Sequence, residues 1–481
     1  MTELCDLSAI EARRMIGTKE ISPVELLESC IDRIEAVNGV LNAVIAWNYE
    51  RARKEAKVAE TAVMQGAELG PLHGLPIGIK DLEVTEGIIT TWGSLLYEGH
   101  VPDSDQRSVA EIRRAGGIVF AKTNTPEFGA GANTTNRVYG ATGNPFDPKL
   151  TCGGSSGGSA VALATGMMPL ASGSDYGGSL RIPAGFCGVT GFRPSPGVVP
   201  NEKRAVGLNP YSVLGPMGRT VADAALLLGV LADEDPRDPF SKPFDPIFLD
   251  PIPDVDLSPL RIAVSEDLGV APIDNNIRSI FRERVNTIRH IFASAEDRDP
   301  GFDNDLHDAF EILRATNFMS QHKERLENQR DKLGPNVIDN TERAFKYSAA
   351  DVAWAYAAQT RYYLQFLGLT REVDILISPV NSVSPFPHQQ LYVEEINGKK
   401  MPTYMRWLSP CYALTMAMPA ACAVPCGLDD KGLPFGLQIS GPNGSDRFVL
   451  EVAHALEGVL KRDPMTSRPR PDIAALSVKV K

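Results

Sequence analysis

Apolar and polar positions divide the chain into stretches of different period. Residues 1–66 read as helices. Ser22-Pro23-Val24-Glu25 forms a capping box with proline at the first helical position. Leu26, Leu27, Cys30, Ile31, Ile34 and Val37 then fall on one helical face, up to a stop signal at Asn38-Gly39. Arg51 to Met64 is a second, alanine-rich helix with a charged face. From 71 to 230 short apolar runs alternate with helical stretches. Ile77–Lys80, Ile118–Ala121 and Met168–Ser172 read as strands, and Ser108–Arg114 and Ala160–Ala164 as helices. The proline-rich segment 233–258 reads as an extended connection over the surface. Beyond it come a strand at Leu260–Ser265, amphipathic helices at Ile277–Phe292 and His307–Arg330, a helix at Ala349–Leu367 and a strand at Asp374–Ser378. His307–Arg330 is charged enough to predict an exposed arm. Residues 383–411 read as a long loop whose Phe386, Tyr392, Tyr404 and Trp407 make it a candidate pocket wall. A strand-like pair over 412–440 and a helix at Asp446–Leu460 close the chain. Strands alternating with helices predict the α/β class, with a large mixed, mostly parallel twisted β-sheet covered on both faces by α-helices.

Composition narrows the partners. The 481 residues suffice for two or three average domains or one large α/β domain, and their formal net charge of −12, without basic runs, argues against nucleic acid or an anionic membrane surface. The seven cysteines (Cys5, Cys30, Cys152, Cys187, Cys411, Cys422 and Cys426) form an odd, sparse set that fits a reducing compartment. No pair has zinc-site spacing, so no metal is expected. Most read as small buried filler, with Cys152 reachable by alkylating reagents. MTELCDLSAIEARRM has no continuous apolar run after a basic start, and no stretch approaches about 18 apolar residues. A cytoplasmic protein is the expectation.

The densest chemistry lies in residues 151–197. Gly153-Gly154-Ser155-Ser156-Gly157-Gly158-Ser159 is followed by Asp175-Tyr176-Gly177-Gly178-Ser179 and Arg181. Glycine loses the most freedom on ordering, so six glycines around four serines imply unusual backbone or close approach of another group. A serine nucleophile needs a base and backbone N–H donors for the oxyanion it creates. The 176–179 turn can supply such donors, with Ser179 in attacking position. Upstream, Lys80 ends the apolar run Leu75-Pro76-Ile77-Gly78-Ile79; a desolvated lysine there has a lowered pKa and can accept a proton.

Other chemistries fit less well. Gly153–Gly157 matches the G-x-S-x-G elbow of α/β-hydrolases, which would make Ser155 the nucleophile of an esterase served by a downstream Asp and His. The preceding Phe146–Thr151 is polar and proline-broken, however, where an elbow needs a buried strand. A phosphate site lacks G-K-[ST], and no G-x-G-x-x-G stands in a dinucleotide-binding context.

Lys80, GGSSGGSA and SDYGGSLRIPAGFCG together resemble the amidase signature family of serine hydrolases, with lysine and serines 75 and 24 residues apart as that family spaces them. The likeness is strongest over 65–225 and returns at 434–457. It implies the amidase signature fold as a single domain over 1–481: N-terminal helices over 1–66, a catalytic core over 67–230, a variable helical and substrate region over 231–410, and a return to the core over 411–481. It also implies hydrolysis of a linear amide to a carboxylate plus ammonia or an amine. By this resemblance Ser179 is the acyl-forming nucleophile, Ser155 the bridging serine with a cis peptide bond, and Lys80 the terminal base. Oxyanion donors fall on the backbone of Tyr176, Gly177, Gly178 and Ser179, Gly129 lines the substrate channel, and Asp175 and Arg181 buttress the loop. Ser174 stands where members often carry threonine, and Tyr176 where a smaller residue is common. No cofactor is implied; the partner is a small-molecule amide, and a homodimer is possible. Within the family the alternative is the glutamine-hydrolysing component of a tRNA-dependent amidotransferase.

Overall fold

The computed structural model describes residues 3–477. One sheet of eleven strands runs through them: β1 (Val44–Trp47), β2 (Pro76–Lys80), β3 (Ile118–Thr123), β4 (Leu170–Asp175), β5 (Thr190–Arg193), β6 (Val213–Gly218), β7 (Arg261–Val264), β8 (Ser294–Asp297), β9 (Ile375–Pro379), β10 (Ala420–Leu428) and β11 (Pro434–Gly441). Their order across the sheet is β1-β3-β2-β4-β6-β5-β10-β11-β9-β7-β8. The expected large mixed sheet with helices around it is present. Parallel pairing lies in two flanks, β3-β2-β4 and β9-β7-β8. The run from β4 through β6, β5, β10 and β11 to β9 is antiparallel, as is edge strand β1 against β3. Every residue of β2 and β3 is buried, as an apolar strand covered on both faces requires.

Several elements differ from their sequence patterns. Residues 1–66 include β1, whose four residues alternate buried and more exposed positions between two helices. The helix Pro23–Leu41 runs through Asn38-Gly39 and ends at Asn42, which takes left-handed backbone (φ 52°). Asn38 instead ties down the turn that follows: its side chain accepts from the N–H groups of Ala43 and Val44 and donates to Val44 O. Residues 409–417 are helical rather than extended. The 233–258 connection is irregular as expected, apart from a short turn of helix at Pro246–Leu249.

The largest correction concerns the charged helix. Asp305–Gln329 is not an exposed arm. It buries Leu306, Phe310, Leu313, Phe318 and Leu326, and it packs against the helices Pro335–Ala344 and Ala349–Leu369. The apolar stripe that makes it amphipathic decides its place, and the charge on its other positions does not.

All seven cysteines are free and buried. Cys152 is fully buried, contrary to the expected reactivity, because it lies under the glycine block with its carbonyl accepting from Cys187 Sγ at 3.4 Å. Among the described residues no helix is long and apolar enough to cross a membrane.

Candidate active site

Lys80 is the last residue of β2 and is completely buried. Its Nζ lies 2.7 Å from Ser155 Oγ, 2.8 Å from Ser156 Oγ and 3.0 Å from Ser174 Oγ. Ser155 and Ser156 immediately precede helix α1 (Gly157–Ala164), and the Gly154–Ser155 peptide is cis. Ser174 comes from β4, the parallel neighbour of β2. Burial pushes the Lys80 ammonium down to about 7, although Glu83 and Asp175 act to raise it. A neutral amine has two N–H donors and one lone pair, so three surrounding hydroxyls suit it if one of them donates. The Ser156 hydroxyl is within 3.4 Å of Ser174 O, an acceptor for its own hydrogen. That leaves the hydroxyls of Ser155 and Ser174 to supply the donor, with Ser155 the nearer at 2.7 Å.

Behind Lys80 lies a second buried layer. Ser172 Oγ accepts from the Lys80 backbone N–H at 3.1 Å and donates to Glu83 Oε1 at 2.5 Å, while Ser108 Oγ donates to Glu83 Oε2 at 2.6 Å. Burial raises the Glu83 pKa, with both serines acting against it. Sequence reasoning missed Ser156, Ser172, Glu83 and Ser108. The period of two along β4 was the available signal, because it puts Ser172 and Ser174 on one face.

Ser179 follows β4 and precedes helix α2 (Arg181–Cys187). The turn between is held by Asp175, which accepts from the N–H groups of Gly178 (2.8 Å) and Leu180 (3.2 Å), from Arg181 Nε and Nη2 (3.0 Å each) and from Arg193 Nη1 (3.0 Å). Burial would raise this carboxyl, but Arg181 and Arg193 outweigh it and hold it well below the usual range. Arg181 also reaches Cys411 O, Thr415 Oγ1 and Gln438 Oε1, tying the turn to the helix Ser409–Ala417 and to β11. One expected donor is lost: the Gly178 N–H is committed to Asp175. The N–H groups of Tyr176, Gly177 and Ser179 have no hydrogen-bond partner among the described residues.

Ser155, Ser174, Tyr176, Ser179 and Gly129 all face one cavity of about 390 Å³. Gly129 has φ 71°, and a Cβ there would lie 3.3 Å from Ser155 Oγ. The aromatic wall contains Trp92, Tyr97 and Phe128. The facing wall is helix α3 (Asp305–Gln329), which contributes Arg314, Asn317, Phe318, Gln321, His322 and Arg325. None of residues 383–411 lines this cavity. Trp407 is buried against Phe186 and Phe386, and Tyr404 supports α3 from behind by accepting from Arg314 Nη2. Those aromatics belong to the core between α2 and the loop rather than to the pocket.

The elbow reading fails on two counts. No strand delivers Ser155, since residues 152–156 lie in none, and the partner of its hydroxyl is Lys80 rather than a histidine.

The chain is similar to known proteins over nearly its whole length. The amidase family model matches residues 25–450. An acylamidase of Rhodococcus erythropolis is 32% identical over 455 residues, 94% of this chain and 95% of that protein. The A component of the glutamyl-tRNA(Gln) amidotransferase of Chloroflexus aurantiacus is 32% identical over 494 residues, 98% of this chain and 99% of that one. Among solved structures, a bacterial aryl acylamidase of the amidase signature enzymes superposes with a TM-score of 0.87 at 29% identity, covering 95% of this chain and 96% of the other.

Proposed function

Because the chain belongs to the amidase family, with amide hydrolysis as its chemistry, we propose that it cleaves the C–N bond of a linear carboxylic acid amide through an acyl-enzyme on Ser179. Neutral Lys80 draws the hydroxyl proton of Ser155, which in turn accepts the proton of Ser179 as its Oγ attacks the amide carbonyl. The C–O bond forms and the oxyanion is met by free N–H groups of the 176–179 turn, each worth about 3 kcal/mol in the barrier. With the Gly178 N–H engaged elsewhere, that role falls to Tyr176, Gly177 and Ser179. The C–N bond then breaks as the proton returns through Ser155 to the leaving nitrogen. Water, deprotonated by the same relay, cleaves the ester to give a carboxylate and restore Ser179. The observation that carries this reading is the Lys80 Nζ to Ser155 Oγ contact of 2.7 Å, on a fully buried lysine beside the cavity that Ser179 lines.

The test is intact-mass spectrometry after treatment with a fluorophosphonate, followed by peptide mapping. A single adduct on Ser179, absent from Lys80→Ala, is expected. An adduct on Ser155 overturns the assignment.

The amidotransferase relatives favour a second reading, in which the same serine releases ammonia from glutamine for a partner protein. Turnover of a simple anilide by the isolated chain separates the two, since the second reading needs the partner present.

A further inference from the structure

The cavity carries an electrostatic imbalance that the hydrolytic machinery does not use. Lys203, Arg204, Arg314 and Arg325 line it, and no aspartate or glutamate does, on a chain whose net charge is −12. Arg204 is neutralised by Asp238, at 3.1 Å through both Nη atoms. Arg314 is not neutralised. It is only 5% exposed, yet its hydrogen-bond partners are neutral: Nε donates to Asn340 Oδ1 and Nη2 to Tyr404 Oη, each at 3.1 Å. The carboxylate one turn earlier on the same helix, Glu311, faces Arg406 and Arg343 instead. Among the described residues Arg325, three turns along α3, likewise bonds only to Tyr97 Oη, His322 Nδ1 and Gln321 O.

A buried guanidinium without a counter-ion is costly unless something completes its charge. Aromatic faces do part of this: the Arg314 Cζ lies 5.4 Å from the Tyr176 ring centre and 4.7 Å from that of Phe318. Its two protein hydrogen bonds leave both N–H groups of Nη1 and one of Nη2 free. That end-on pair is the fork that grips a carboxylate with two parallel hydrogen bonds. The stacked Tyr176 also places this fork close to the turn bearing Ser179.

We propose that the preferred substrate is an amide carrying a carboxylate, which Arg314 binds while the amide carbonyl meets the 176–179 turn. The proposal rests on the amidase reading and adds the substrate class. Arg314 is here a specificity residue; the reaction itself runs through Lys80, Ser155 and Ser179.

Two matched pairs of probes test it. Glutaramate and pentanamide differ by a carboxylate on the acyl half. N-hexanoyl-4-aminobenzoate and N-hexanoyl-4-toluidine differ by one on the amine half. In the unaltered protein kcat/KM is expected to favour the charged member at least tenfold in one pair, which also identifies the half that Arg314 holds. Arg314→Gln should bring that ratio to about one, and Arg314→Lys should restore part of it, mainly through KM. A ratio below ten in both pairs overturns the proposal, and this outcome needs no variant to fold. Equal loss of both members of the favoured pair in Arg314→Gln overturns it too. If none of the four probes turns over, the amidase reading is decided separately, by whether the fluorophosphonate labels Ser179. The same ratio, read as Kd by calorimetry on Ser179→Ala, then decides this proposal: tenfold tighter binding of a charged member upholds it, and equal or absent binding ends it.

Discussion

In the buried layer that forms the floor beneath the cavity, Asp175 takes five hydrogen bonds, three of them from Arg181 and Arg193. On the wall, Arg314 takes up a similarly buried position and meets an amide oxygen, a phenol and two aromatic faces. The floor therefore gathers two guanidinium groups around one internal carboxylate, whereas the wall holds Arg314 and Arg325 with neutral partners. Lys80 fits the first pattern by a different route: burial lowers its affinity for a proton, and neutral hydroxyls are enough to surround it. The carboxylate that holds the 176–179 turn has its counter-charges within the chain, while Arg314 on the wall has none.

Breaking the floor should have the largest effects. Ser179→Ala and Lys80→Ala are each expected to lower kcat by about 10⁴-fold or more, in line with the loss of a nucleophile or its base. Steady-state assay of an amide that the unaltered protein cleaves checks this, and near-normal rates in Ser179→Ala would remove it as nucleophile. Asp175→Asn leaves two buried guanidinium groups short of a charge and should cost about 3–5 kcal/mol of stability, read as a lower denaturation midpoint. A shift under about 1 kcal/mol would mean that the floor does not depend on charge matching. Acidity acts on the same region. Protonated Lys80 has no lone pair, so kcat/KM should fall with pH below about 7, roughly fiftyfold by pH 5. A profile flat between about pH 5 and 9 contradicts that role. The smallest effect sharpens the boundary between floor and cavity. Gly129→Ala forces a side chain into left-handed backbone beside Ser155, at a cost of about 1–2 kcal/mol. It should reduce kcat/KM by a comparable factor while Ser179 labelling persists.

Part of the floor, Lys80 and the glycine-flanked serines, was readable from sequence because its requirements are local, whereas Glu83, Ser108 and Ser172 behind it were not. Glycine blocks flanking serines, and a lysine ending an apolar run, have few explanations other than close backbone approach and desolvation. The wall was not readable. Arg314 and Arg325 sit in a helix rich in exposed charge, and nothing in their spacing distinguishes a cation facing a cavity from one in solvent. The aromatics of 383–411 misled for a related reason: burial and ligand contact draw on the same residue types. Trp407 went to the core. β1 escaped notice because four residues between two strong helices give too few periods to read.

The reach of Arg181 has a consequence for synthesis. Its side chain joins Asp175 to Cys411, Thr415 and Gln438, residues separated from it by 230 to 257 positions. A chain emerging in order exposes Lys80, Ser155 and Ser179 long before those partners exist. Until the last quarter has been added, the turn bearing Ser179 lacks its far anchors and, of these partners, Arg181 has only Asp175 to hold; the set is complete once the strand that carries Gln438 is made.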